Sequence, residues 1–160
     1  MSYYLRGEIY NEEKDYKKAI EFYNLAINTD STISEFYINK GDSYLQLNQP
    51  KNSISAYEQA LKVSDVDSSK TYSKLALALQ QQKLFKEAID LHNRAIKLNP
   101  DDYELYIGRA RTKIAFKLYD SAINDLDKAI GINSEEPSSY YYCGLIFGEN
   151  LNDFEQAIIE

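Results

Sequence analysis

Covalent chemistry in this sequence would have to come from very few residues. His92 is the only histidine, and so the only side chain with an ordinary pKa near neutrality to act as a general base. Cys143 is the only thiol, and no basic residue stands beside it in sequence to favour the thiolate. The acidic stretch from Asp65 to Lys70 suggests a calcium loop, but Lys70 falls where the sharp turn needs glycine and Ala76 where a bidentate glutamate is required. GxxxxGK[ST], GxSxG and HExxH do not occur, and Gly144 with Gly148 is only a weak GxxxG. The sequence therefore predicts no catalytic residue, no metal set and no cofactor, and an enzyme is not expected within these residues. What it does hold is recognition chemistry at helical spacing. Glu35, Ile38, Asn39 and Asp42 stand at i, i+3, i+4 and i+7, as do Lys70, Ser73, Lys74, Leu77 and Glu104, Ile107, Gly108, Arg111. Tyr4, Leu5, Glu8 and Tyr141, Tyr142, Leu145 are shorter sets of the same kind. Apolar anchors beside polar groups suit an extended peptide or a helix laid across them.

Positioning such stripes needs helices, and the composition supplies them. With 160 residues, 44% hydrophobic and 27% charged, the chain can bury a domain-sized core and is too balanced for disorder. Six glycines and three prolines leave few turn residues for a many-stranded sheet, which favours an all-α class. The longest aliphatic run, Leu75 to Leu79, is far short of the roughly 20 residues of a membrane span. Arg6 and Glu8 interrupt any export signal, so neither membrane nor secretion is expected. A lone cysteine fits a reducing compartment and makes the cytoplasm the default location. A formal charge of −7 disfavours nucleic acid, whose phosphates call for a positive field.

The chain repeats itself. Tyr3, Tyr37, Tyr72, Tyr106 and Tyr140 recur at separations of 34, 35, 34 and 34 residues, each followed four residues on by Gly7, Gly41, Ala76, Ala110 or Gly144. Ala19, Ser53, Ala88, Ala122 and Ala26, Ala60, Ala95, Ala129 form two further small columns. The one longer interval places its extra residue in the polar stretch Ser64 to Ser69. Apolar periodicity splits each unit into two helices, expected at 2–12, 15–28, 34–47, 50–63, 69–82, 85–98, 103–116, 119–131, 137–150 and 153 onward. Small residues allow helix axes to approach at the crossings, while Tyr16, Phe85, Tyr119, Phe154 and Pro50 are expected to plug the turns. His92 shares its column with Tyr23, Tyr57 and Leu126, which makes it a core residue.

These columns resemble the tetratricopeptide repeat family, most clearly in the third unit, where Tyr72, Leu75, Ala76, Leu79, Phe85, Ala88, Ile89, Ala95 and the closing run Lys97 to Asp102 fall in the family's order. Tyrosine stands for the family's tryptophan in every unit, and Ser53 for an alanine. The resemblance implies an all-α, right-handed superhelical solenoid of antiparallel helix hairpins, one domain over 1–160 with units at roughly 1–33, 34–68, 69–102, 103–136 and an incomplete 137–160. It places the first helix of each unit on the concave surface, so that Tyr4, Glu8, Glu35, Ile38, Asn39, Asp42, Lys70, Ser73, Lys74, Leu77, Glu104, Ile107, Arg111, Tyr141 and Tyr142 line a peptide-binding groove. The expected function is a non-catalytic scaffold holding a protein or peptide segment, with binding weakened by alanine at Asn39, Lys74 or Arg111. The alternative is a structural array assembling laterally or end to end. Asn39, Lys70 and Lys74 also resemble part of the clamp with which chaperone-binding members hold a C-terminal carboxylate, but Tyr4 and Glu8 occupy its other two positions, and a glutamate there repels a carboxylate. Against a binding role, Glu35, Lys70 and Glu104 alternate in sign along one column and are expected to pair across neighbouring units. The half-built fifth unit would expose apolar surface, so the chain is expected to be part of a longer polypeptide that self-associates through this end if it lacks cover.

Overall fold

A computed structural model describes residues 2–64 and 66–159, with side chains through residue 148. Among these residues there are helices and no strands: α1 (Tyr3–Glu12), α2 (Tyr16–Thr29), α3 (Ser34–Gln46), α4 (Pro50–Ala60), α5 (Ser68–Gln81), α6 (Phe85–Leu98), α7 (Tyr103–Ala115), α8 (Tyr119–Ile132) and α9 (Pro137–Ile159). The hairpin turns show the repeat in the backbone. Lys14, Asn48, Lys83 and Lys117, each seven residues after the small residue of its unit, adopt φ of 62°, 55°, 61° and 60°. The amide that follows each one bonds back five residues, Asp15 to Tyr10 at 2.8 Å and Leu118 to Lys113 at 2.8 Å, which closes the helix in a Schellman motif. Pro50 opens α4 at a position where its missing N–H is not needed. The carboxylates of Asp15, Asp67 and Asp102 cap α2, α5 and α7 by accepting backbone N–H bonds.

The hairpins α1/α2, α3/α4, α5/α6 and α7/α8 stack in order, each second helix lying against the next first helix. First helices also touch one another, α3 with α5, α5 with α7 and α7 with α9, whereas second helices make no comparable contact. The stack is therefore an all-helical solenoid curved with its first helices inside.

Inside each hairpin, the size of one residue sets the size of another sixteen positions on. A Cβ at Gly7 would lie 2.5 Å from the Tyr23 ring, and one at Gly41 would lie 2.6 Å from the Tyr57 ring. Where the facing column narrows to His92 and Leu126, the small residue becomes Ala76 and Ala110, and all four are fully buried. The same sixteen-residue register joins Arg109 to Asp125, a residue 4% exposed whose carboxylate receives Arg109 Nε at 2.9 Å, Arg109 Nη2 at 2.6 Å and Lys113 Nζ at 2.8 Å. The turn plugs fall as expected where they can be seen: Phe85 stacks on Phe116 at 5.4 Å, and Tyr119 packs on the α7/α8 core.

Two boundaries differ from the sequence expectation. α4 ends at Ala60, three residues early, so the inserted residue is absorbed between 61 and 67, with Asp67 capping α5 at Ser68. α9 runs through to Ile159 without the break expected near 151. Gly144 to Ala157 is 13 residues where Gly7 to Ala19 is 12, which predicts a turn one residue longer; the backbone instead stays helical through that stretch. The expected plug at Phe154 lies outside the residues with described side chains.

Candidate functional site

First helices lying side by side in one direction bring residues 34 or 35 apart into rows across the concave face. One row is Tyr4, Ile38, Ser73, Ile107 and Tyr141; the next is Leu5, Asn39, Lys74, Gly108 and Tyr142; the third is Glu8, Asp42, Leu77, Arg111 and Leu145. The predicted site residues lie on these rows and on a fourth, Glu35, Lys70 and Glu104, but they behave in three ways.

On the first two hairpins the polar groups are engaged with one another. Tyr4 donates to Glu8 Oε1 at 2.7 Å and accepts from Asn39 Nδ2 at 3.1 Å, with its ring 5.1 Å from Phe36. Burial, the bond to Glu8 and the nearby Glu35 carboxylate hold the Tyr4 phenol well above its usual pKa, so it remains a donor. Asp42 receives Tyr57 Oη at 2.5 Å and Lys74 Nζ at 2.7 Å. Asn39 and Lys74 thus have internal partners, and of the three clamp-like residues only Lys70 is without one. The alternating column does not pair: among the described residues Lys70 forms no ion pair with Glu35 or Glu104, and the pair that crosses the face is Lys74 with Asp42. Glu35 is exposed.

A second set serves the core. Ile38 packs on the Tyr57 and Leu75 cluster, and half-buried Tyr142 packs on Leu126 and Tyr106. Ile107 is 9% exposed and belongs mainly to the same core as Tyr106. Tyr141 is 62% exposed at the far end, with Tyr140, Leu145 and Phe147 also exposed on α9.

The third set is brought together in a cavity of about 400 Å³ between α5 and α7. Lys70, Ser73, Lys74 and Leu77 form one wall, Glu104, Ile107, Gly108 and Arg111 the other, and Glu136 and Ser138 close the end. Asp102 and Glu136 at the rim cap helix-start amides, and the bonds from the Ser138 side hold the Glu136 carboxyl below its usual pKa. Arg111 is exposed, with its guanidinium over the Tyr142 ring at 5.9 Å, a cation–π contact. A second cavity of about 480 Å³ shares Lys74 and Leu77 with the first and extends the trough past Asp42 to Asn11, Leu45 and Gln46. Those three residues were not expected; carrying each stripe one more helical turn would have found them.

Neither chemistry-bearing side chain lines the trough. His92 is fully buried, without a hydrogen bond to either ring nitrogen. Burial, reinforced by Arg109, holds its pKa down to about 4. Burial and Asp127 push the Cys143 thiol up, opposite to what a nucleophile needs. Among the described residues no group of three His, Cys, Asp or Glu could hold a metal ion, and no helix is long and apolar enough to cross a membrane.

Comparison with known proteins places this geometry among relatives. The chain is 30% identical over 100 residues to the small glutamine-rich tetratricopeptide repeat-containing protein 2 of Mycosarcoma maydis, covering 62% of this chain and 28% of that one. It spans between about 15% and 29% of the length of the curated relatives it matches. The crystal structure of MamA superposes with a TM-score of 0.75 at 25% identity, covering 92% of this chain and 86% of that one. The NMR structure of the second TPR domain of human RPAP3, in complex with HSP70 peptide SGPTIEEVD, superposes with a TM-score of 0.66 at 22% identity, covering 70% and 92%. Tetratricopeptide repeat models match residues 2–32, 34–67 and 69–102, unit for unit with the first three hairpins. With well over half its length matched in this way and its hairpins stacked in the same order, the chain belongs to the tetratricopeptide repeat family.

Proposed function

We propose that this chain is a non-catalytic interaction module that works inside the cell and seats a segment of a partner protein in the trough along its first helices, chiefly between α5 and α7. One observation carries the reading: Tyr4, Glu8, Asn39 and Asp42 are held by partners within the stack, whereas among the described residues Lys70, Ser73 and Arg111 line a cavity without an ion pair or side-chain hydrogen bond, beside the apolar Leu77. The peptide held by a structural neighbour supports the capacity of such a stack to take a peptide.

The test begins with peptides selected from a phage-displayed random library against the whole chain. Arg111→Ala and the cavity-filling Ser73→Tyr are expected to weaken the selected peptides at least tenfold, about 1.4 kcal/mol, while Lys128→Ala on the outer face of α8 leaves them unchanged. Equal binding by all three variants would refute the groove. A second reading, assembly through the end of the stack, draws on Tyr140, Tyr141, Leu145 and Phe147, exposed together on α9. A molecular mass that rises with concentration in light scattering separates it from the first.

A further inference from the structure

The floor beneath the trough holds a group that the binding reading does not use. His92 lies on α6 at the seam with α7, where a Cβ on Gly108 would stand 2.9 Å from its Cε1 and 3.4 Å from its Nδ1, so the glycine backbone sits directly on the edge of the ring. Ser73 of α5 reaches the same spot, its Oγ 3.4 Å from that Cβ position, and bonds to neither ring nitrogen. Both nitrogens are buried without a partner, an arrangement that a neutral imidazole tolerates and a charged one does not. The charges acting on the ring come from neighbouring helices: Arg109 and Arg111 on α7 oppose a proton, and Asp125 on α8, already paired with Arg109 and Lys113, favours it. A proton on His92 has no partner in the closed seam, and lifting α7, whose Gly108 backbone covers the ring edge, off α6 exposes the ring. The two walls of the trough, α5 and α7, then part with it.

We propose that the seam between the third and fourth hairpins is an acid-operated joint, in which protonation of His92 separates α7 from α6 and takes apart the trough above. The sign follows from linkage. The closed seam holds the imidazole neutral down to about pH 4, whereas an opened one titrates near 6.5, so opening takes up a proton and becomes easier as pH falls between those values. From pH 7 to pH 5 the opening equilibrium rises about 20-fold.

Hydrogen exchange read by mass spectrometry, corrected for the intrinsic pH dependence of amide exchange, tests this on the unliganded chain and so independently of the groove. The amides of α7 are expected to lose about 20-fold in protection between pH 7 and pH 5 relative to those of α1 and α2. In His92→Leu, which repeats the fit of Leu126 against Ala110, and in the uncharged polar His92→Gln, that pH-dependent loss is expected to vanish. A parallel loss in wild type and both variants, a wild-type α7 that does not respond, or a loss spread equally over α1 and α2 would overturn the joint.

Discussion

Gly41→Ala is expected to destabilise the chain by about 1 kcal/mol net, although alanine is the better helix former by a similar amount. The new Cβ would lie 2.6 Å from Cε1 and 2.8 Å from Cδ1 of Tyr57. That ring cannot step aside, because it is fully buried and its hydroxyl is held by Asp42 at 2.5 Å. Overpacking a fixed ring costs roughly 1–3 kcal/mol, which outweighs the gain in propensity. The chain itself suggests the rescue: Ala110 sits with Leu126 in one packed cluster. Tyr57→Leu in the Gly41→Ala background should therefore recover more than about 1 kcal/mol relative to additivity in a double-mutant cycle read by urea unfolding. Additive effects would mean that the two columns do not set each other's size.

Asp125→Ala is expected to cost about 3–5 kcal/mol, the largest loss from any charged position. It removes a carboxylate on a side chain 6% exposed, and leaves Arg109 and Lys113, whose side chains are 18% and 12% exposed, without a counter-ion. The loss comes from stranding charges rather than from any large net value of the pair, so the joint replacement Arg109→Met, Lys113→Met, Asp125→Leu should lie within about 1 kcal/mol of wild type. Urea midpoints of both variants check this. A loss below about 1 kcal/mol in Asp125→Ala would place the network in effective contact with water.

The repeat, the small columns and the helix pairs were legible because each hairpin must bury the same face against the next, which repeats residue size at a fixed period. His92 was readable as core from its column alone. The contacts between columns were less visible. Arg109 and Asp125 stand sixteen apart, like Gly41 and Tyr57, while Lys74 to Asp42, Ser43 to Asn11 and Thr112 to Gln80 all stand thirty-two apart. Columns compared one at a time conceal these offsets; columns paired at sixteen and thirty-two would have revealed the buried ion network and moved the expected charge pairing to Lys74 and Asp42. The stripe along the first helices was legible, but which of its polar groups satisfy each other depends on distances that only the stack fixes. This is why Tyr4 joins Glu8 and Asn39, and Asp42 joins Tyr57 and Lys74, while Lys70, Ser73 and Arg111 line the cavity. The continuous α9 escaped because its apolar pattern repeats that of the other units, so a turn is expected where the backbone stays helical.

The most direct measurement is amide chemical-shift mapping of the chain with a library-selected peptide. The account predicts that the largest changes cluster on α5 and α7, at Ser73, Leu77, Gly108 and Arg111. Changes confined to the outer faces of α6 and α8, around Asp90 and Lys128, with α5 and α7 silent, would contradict it.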